Sequence, residues 1–149
     1  DNVLQSNFDE EIDYSIQQLK NGFDIACVSD AIMWKNNKYS SSMMILEKGK
    51  MRDVWDTFVN NPQFDFDGGD QVYTGAVIFK KGKKVFYIDE TFPDLKLNLK
   101  FHLSNKVLGQ WKFPSYLPPK CKIVDCGGRP KPHDLENLKY IKENWHDVE

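Results

Sequence analysis

Apolar residues recur every three or four positions in three parts of the chain, the spacing that places side chains on one side of a helix. The pattern predicts amphipathic helices over 8–20, 50–60 and 134–145. Gly22 follows the first helix as a C-terminal cap would, and Pro62 stops the second. The apolar positions are Phe8, Ile12, Ile16 and Leu19 in the first helix, Met51, Val54, Trp55, Phe58 and Val59 in the second, and Leu135, Leu138, Ile141 and Trp145 in the third.

Four shorter apolar runs lie between these helices, and their length favours strands. They cover 23–28, 42–46, 85–88 and 121–126. We expect the first two to be buried, because their apolar residues follow one another without polar alternation. Between the last two runs, 89–118 is rich in Pro and aromatic residues and has no clear period.

The run 72–79 fits two structures. Its β-branched residues favour a strand, whereas Asp70 could cap a helix that turns Val72, Ala76 and Phe79 inward. Both alternatives stay open at this point. In either case short strands alternate with helices, which predicts an α/β fold with one mixed sheet flanked by helices, in a single domain over 1–149.

Composition narrows the class of protein. Hydrophobic residues make up 40% of the 149, enough to form a core, and the net charge of -2 gives no overall field that would attract nucleic acid or an anionic membrane. No apolar run approaches the roughly 18 residues of a membrane span. Three cysteines in no CxxC arrangement fit a reducing compartment, so we expect a cytoplasmic protein.

The acidic loop 65–71 is the first candidate site. Aspartates at alternate positions resemble the start of a calcium loop, but Gly69 takes the fifth position and Ala76 stands where a bidentate Glu is needed. A sugar-binding turn is an alternative, in which glycines allow close approach while Asp70 and Gln71 hydrogen-bond to hydroxyls. A simple capped turn fits equally well.

The second candidate site runs from Asp125 to His133. This segment suits a diphosphate and a bridging metal ion. It has an acid after a buried strand, then two glycines, and then Lys131 between prolines. The alternative is a basic surface turn. Neither a nucleophile elbow nor a GxxxxGK[ST] or GxGxxG loop occurs, so those modes of catalysis and nucleotide binding are set aside.

The order of these segments resembles the glycogenin-like nucleotide-sugar glycosyltransferases and their bacterial and viral relatives, over most of the chain. The resemblance implies a GT-A fold, a nucleoside-diphosphate sugar as donor, a carbohydrate or glycoconjugate as acceptor, and a divalent cation, Mn2+ or Mg2+. The matching segments are Asp30, Tyr39-Ser40-Ser41-Ser42-Met43-Met44-Ile45, Phe66-Asp67-Gly68-Gly69-Asp70-Gln71, and Ile123-Val124-Asp125-Cys126-Gly127-Gly128-Arg129-Pro130-Lys131-Pro132.

The resemblance also implies roles for single residues. Asp70 and Gln71 would face the donor sugar and the reaction centre as catalytic residues. Asp125 stands where glycogenin-type members carry a metal-binding His, and an Asp can bind the same cations through oxygen. Further donor-binding residues would be Asp30, Ser40, which replaces the family's usual Asn, Ser41, Gly69, Gly128 and Lys131.

The first residues fit the same resemblance. Asp1 would be the second aspartate of the family's Asp-x-Asp metal motif, which makes the chain the C-terminal portion of a larger domain that lacks the nucleotide-binding half. A sheet without its leading strands would expose an edge, so we expect an oligomer formed across that edge, or instability. Two other functions stay open: a catalytically incomplete carbohydrate-binding fragment, and a metal-stabilised structural domain.

Overall fold

Helices and strands alternate along the chain in the computed structural model, with short strands throughout. The structure describes residues 2–30, 38–61, 69–108, 110–128 and 130–145. The chain divides into two compact units, a discontinuous one made of residues 1–8 and 92–149 and a continuous one made of residues 9–91.

The continuous unit, called the central unit below, has one three-stranded sheet in the order β3-β2-β4. The middle strand β2 pairs antiparallel with β3 and parallel with β4, and its register shifts between Cys27 and Ser29. Four helices are present among the described residues of this unit. The elements are α1 (Asp9–Lys20), β2 (Ile25–Ser29), β3 (Tyr39–Leu46), α2 (Arg52–Asn60), α3 (Gly69–Lys80), β4 (Val85–Tyr87) and α4 (Ile88–Thr91).

The discontinuous unit, called the terminal unit below, has a second three-stranded sheet in the order β1-β8-β5. Its middle strand β8 pairs antiparallel with β1 and parallel with β5. Strands β6 and β7 form a separate antiparallel hairpin. The elements are β1 (Asn2–Leu4), β5 (Lys96–Asn98), β6 (Asn105–Val107), β7 (Gln110–Lys112), β8 (Ile123–Asp125), a 3-10 helix (Pro132–Leu135) and α5 (Lys139–Lys142).

Each unit has its own core. In the central unit the buried side chains come mainly from β2, α2 and α3, and they include Ile25, Cys27, Val54 and Val77. In the terminal unit Val124 of β8 is fully buried, with side chains from β1, β5 and the C-terminal segment around it. The buried residues of the terminal unit are Val3, Leu97, Leu99, Cys121, Val124, Cys126, Leu135, Leu138, Tyr140 and Ile141.

The α/β class and the mixed strand directions are confirmed, but the prediction of one sheet is wrong, because the described strands form two three-stranded mixed sheets and a hairpin. Strand β3 is longer than predicted and is not buried on both faces. It lies at a sheet edge, and its side chains from Ser41 onward alternate between half-buried and exposed.

The alternatives for 72–79 are resolved in favour of a helix, α3, but with a different inward face. Tyr73, Val77 and Ile78 are buried, whereas Ala76 is exposed and Phe79 is 87% exposed. The predicted helix over 134–145 is also wrong as a continuous element, since the 3-10 helix and α5 replace it. Among the described residues no helix is long and apolar enough to cross a membrane.

Candidate functional site

A cavity of about 550 Å³ opens in the central unit beside β3, α2 and the start of α3. Its volume lies within the range of about 300–1,000 Å³ that is usual for small-molecule sites. Most of its wall is apolar, and its polar side chains come from β3 and the first part of α3. The lining residues are Ile25, Tyr39, Ser41, Met44, Leu46, Met51, Val54, Trp55, Phe58, Gly69, Asp70, Tyr73 and Thr74.

The first turn of α3 brings Gly69 and Asp70 of the predicted Gly-Asp-Gln motif to this cavity. Gly69 begins the helix with a φ of 74°, a left-handed conformation that glycine adopts without steric cost. Asp70 follows in the first helical turn, where the unpaired backbone N–H groups favour a negative charge. Asp70 is the only carboxylate among the described lining residues, so it dominates the charge of the cavity.

Gln71 connects this motif to β3. Its Oε1 atom accepts hydrogen bonds from the backbone N–H of Ser41 at 3.2 Å and from the Ser41 hydroxyl at 3.4 Å. Two segments that lie 30 positions apart in the sequence are thereby joined at the cavity. The structure therefore brings together four of the residues predicted from sequence: Ser41, Gly69, Asp70 and Gln71.

An aromatic wall faces these polar residues, and the sequence prediction missed its role. The Phe58 ring lies 5.7 Å from the Trp55 ring and 5.5 Å from the Tyr73 ring, measured between centroids. Trp55 is 57% exposed and Phe58 48% exposed, so this side of α2 opens onto the cavity and solvent. The available signal was an apolar stripe on α2 with more large aromatic side chains than a nine-residue helix needs for packing.

Tyr39 adds a neutral hydroxyl to the cavity wall. Burial raises the pKa of Tyr39 to about 12, and the negative charge of Asp70 acts in the same direction. The phenol therefore stays protonated at neutral pH and can donate a hydrogen bond. It donates to Met44 Sδ at 3.6 Å, a weak bond that a better acceptor could replace.

Two other predicted residues of the central unit lie away from the cavity lining. Ser40 is only 5% exposed, and its Oγ lies 2.7 Å from Ser42 Oγ. Asp30 follows β2, and its backbone N–H donates to the Lys38 carbonyl at 2.8 Å. Neither residue is among those that line the cavity, so their donor-binding roles stay predictions.

Asp125 lies in the terminal unit, at the end of β8, in a dense network of polar contacts. Its Oδ2 accepts a hydrogen bond from Lys96 Nζ at 2.6 Å, and its Oδ1 accepts one from the Gly127 backbone N–H at 2.9 Å. The Lys96 and Asp125 side chains are 7% and 15% exposed. Burial alone would raise the pKa of Asp125, but Lys96, Gly127 and Asn98 outweigh it and hold that pKa below its usual value.

The glycines after Asp125 allow the chain to turn closely around this carboxylate. A Cβ on Gly127 would lie 3.1 Å from Asp125 Oδ1, which is closer than ordinary contact. Gly128 is exposed and has a φ of 80°. Lys131 precedes the 3-10 helix, and its backbone N–H donates to Asp134 Oδ2 at 2.9 Å. This exposed, glycine-rich turn leaves backbone room for an anion.

The described residues do not by themselves form a metal centre. No group of three or more His, Cys, Asp or Glu among them could hold an ion. Both oxygens of Asp125 are already engaged, so a cation there would compete with the Lys96 ammonium. Asp1, Asp65 and Asp67, which the sequence also offered as cation ligands, lie outside the described residues. The Mn2+ or Mg2+ site therefore stays a prediction.

Comparison with known proteins returns no match: no protein-family model, no curated protein and no solved structure is similar to this chain. The resemblance to glycogenin-like glycosyltransferases therefore rests on the residues named above.

Proposed function

We propose that this protein is a glycosyltransferase of the GT-A type, which moves a sugar from a nucleoside-diphosphate sugar to a carbohydrate or glycoconjugate acceptor. The support is the order of motifs along the chain together with the contacts that two of them make. Mn2+ or Mg2+ belongs to the proposal through the resemblance alone, and no step below depends on it.

The observation that carries the proposal is the bond between Gln71 and Ser41 beside Asp70. A few polar side chains, such as those of Ser41 and Asp70, in the wall of a mostly apolar cavity are the arrangement that usually fixes the orientation of a small ligand. If the resemblance were due to chance, the segments that contain Ser41 and Gln71 would have no reason to be hydrogen-bonded to each other. Their contact supports a common role in one site.

The chemistry of these side chains suits a sugar. Asp70 is a carboxylate that accepts hydrogen bonds from ligand hydroxyls, and its charge can stabilise positive charge that develops at the reacting carbon. Ser41 holds the Gln71 side chain in one orientation, which lowers the entropy lost on binding. In the terminal unit, Lys131 keeps the role implied by the resemblance, offsetting charge on the nucleoside diphosphate that leaves.

Titration calorimetry with uridine, guanosine and adenosine diphosphate sugars, with and without Mn2+, tests the proposal. We expect binding of at least one donor, slow donor hydrolysis, and loss of hydrolysis in Asp70→Asn with the fold intact. Asp9→Asn is the matched control, because Asp9 also carries a charge in the first turn of a helix but does not line the cavity. Failure of every donor to bind, with and without the metal, would refute the proposal.

The aromatic wall favours a second candidate, a carbohydrate-binding module without transfer activity. Sugar rings pack well on exposed aromatic side chains, and Trp55 and Phe58 offer such surfaces at the cavity. This candidate predicts that free sugars quench Trp55 fluorescence while no donor is hydrolysed. Hydrolysis that depends on Asp70 would decide in favour of the enzyme.

A further inference from the structure

The β6–β7 hairpin of the terminal unit is exposed on both faces. All described residues of both strands are exposed, which is unusual because a two-stranded hairpin without packing is marginally stable in water. The register pairs Lys106 with Trp111 and Val107 with Gln110. Cross-strand partners share a face, so Trp111 lies on one face and Val107 on the other.

The hairpin turn presents a large apolar side chain to solvent. Leu108 is 99% exposed and has a φ of 49°, a left-handed conformation that is uncommon for a residue with a bulky side chain. Neither packing nor backbone geometry explains a leucine at this position. A strained backbone that holds an apolar side chain outward points to a function at the tip.

The charge around the hairpin has one sign. Residues 97–122 contain five lysines and no Asp or Glu, which leaves 15 basic against 22 acidic side chains in the rest of the chain. The two hairpin lysines, Lys106 and Lys112, form no ion pair among the described residues, and Lys106 Nζ lies 5.8 Å from the Trp111 ring centroid. The net charge of the whole chain hides this positively charged stretch of the sequence.

We propose that the hairpin docks onto an anionic phospholipid surface, with Leu108 and Val107 entering the boundary between headgroups and acyl chains. Strands rise about 3.3 Å per residue, so the tip can reach roughly 7 Å, which matches the depth at which interfacial segments sit. Trp111 suits the headgroup level, and the lysines extend toward lipid phosphates. A protein partner would cover one face of a hairpin, whereas a bilayer surrounds a tip that carries an apolar side chain on each face, Val107 on one and Trp111 on the other.

Co-sedimentation of the whole chain with vesicles tests this proposal. We expect binding to phosphatidylcholine vesicles that contain about one-third phosphatidylserine, weaker binding as salt rises, and little binding to pure phosphatidylcholine. Lys106→Gln with Lys112→Gln should weaken binding about 25-fold, since each lysine near an anionic surface contributes about fivefold. Leu108→Asn should weaken it about tenfold or more.

Matched variants separate docking from general effects. Asn accepts a positive φ, so Leu108→Asn should keep the thermal unfolding temperature of the parent. Lys80→Gln with Lys84→Gln removes the same charge from exposed positions of the central unit, and Phe79→Ser removes an exposed aromatic there. Both controls should bind vesicles like the parent.

Three results would overturn the proposal. The first is equal binding to neutral and anionic vesicles, and the second is an equal loss of binding in the central-unit controls. The third is binding to single-stranded RNA or an acidic protein with no binding to vesicles. Because none of these measurements involves a sugar donor, their outcome is independent of the proposed glycosyl transfer.

Discussion

The ion pair between Lys96 and Asp125 allows the most direct test of the terminal unit. Lys96→Met keeps the length and apolar stem of the side chain but removes the ammonium that lies 2.6 Å from Asp125 Oδ2. Asp125 then remains largely buried, and within the described part of the chain neutral donors such as the Gly127 N–H are left to balance its charge. We expect a large loss of stability.

The magnitude follows from the distance and the burial. Two unit charges 2.6 Å apart attract each other by about 6 kcal/mol at an effective dielectric constant near 20. The cost of removing both groups from water offsets much of that attraction, but the cost for Asp125 remains when its partner is removed. Removing one partner of a buried pair usually costs about 3–5 kcal/mol, and we expect Lys96→Met to lie near the lower end because Asp125 keeps its other hydrogen bonds.

Urea unfolding followed by circular dichroism measures this loss as a change in the free energy of unfolding. Arg52→Met is the control, because Arg52 forms an ion pair with Asp56 at 2.9 Å in which the two side chains are 74% and 48% exposed. An exposed pair of this kind contributes about 0.3–0.5 kcal/mol. The expected loss in the free energy of unfolding is therefore about sixfold or more larger for Lys96→Met than for Arg52→Met.

A second variant distinguishes charge from packing. Lys96→Met combined with Asp125→Asn removes both charges and keeps an oxygen that can accept from the Gly127 N–H. We expect this pair to recover most of the stability that Lys96→Met loses. A loss below about 1 kcal/mol in Lys96→Met, or no recovery in the double variant, would refute the reasoning.

Three further predictions concern titratable side chains. The pKa of Asp125 lies below its usual value near 3.8, so its contribution to stability is present above that pH and is lost as the pH falls through the lowered pKa. The stability of Asp125→Asn should therefore lack this loss at low pH, as measured by acid unfolding. Identical acid unfolding curves for the variant and the parent would contradict the prediction. The Tyr140 hydroxyl is buried and has no hydrogen-bond partner among the described residues, so Tyr140→Phe should raise the free energy of unfolding by up to about 1 kcal/mol. A drop of that size would be inconsistent with a missing partner. Burial raises the pKa of Cys27 to about 12 and that of Cys126 to about 11, so both thiols stay protonated at pH 8. Iodoacetamide should therefore alkylate both slowly unless urea is added. Rapid labelling of the folded protein would count against their burial.

The spacing of apolar residues predicted helices correctly where one side of the segment packs against a single core. The helix predicted over 8–20 is confirmed as α1, and Leu19 is buried as its spacing requires. In the C-terminal segment the apolar spacing identified buried residues, including Leu135 and Ile141, although the chain there is not one helix. In this C-terminal segment, periodicity thus indicated which side chains turn inward but not the continuity of the helix.

The inward face of α3 could not be predicted in this way. Phe79 is the largest apolar side chain of that segment, yet it is exposed, whereas Gly75 is buried. A buried glycine contributes little hydrophobicity but lets a neighbouring element come close, a feature that depends on tertiary contacts. The aromatic wall was missed for a related reason, because the spacing of Trp55 and Phe58 is the same whether the side chains face a core or a cavity.

The pairing of β1 with β8 has a consequence for synthesis. Val3 pairs with Val124, about 120 residues later, and at about 5–20 residues per second a ribosome needs on the order of ten seconds to make that distance. The central unit consists of consecutive residues and can form its contacts during that interval. Strand β1 instead leaves the ribosome long before its partner exists, so a nascent chain stalled before residue 123 should fold the central unit while its first residues stay accessible to proteases.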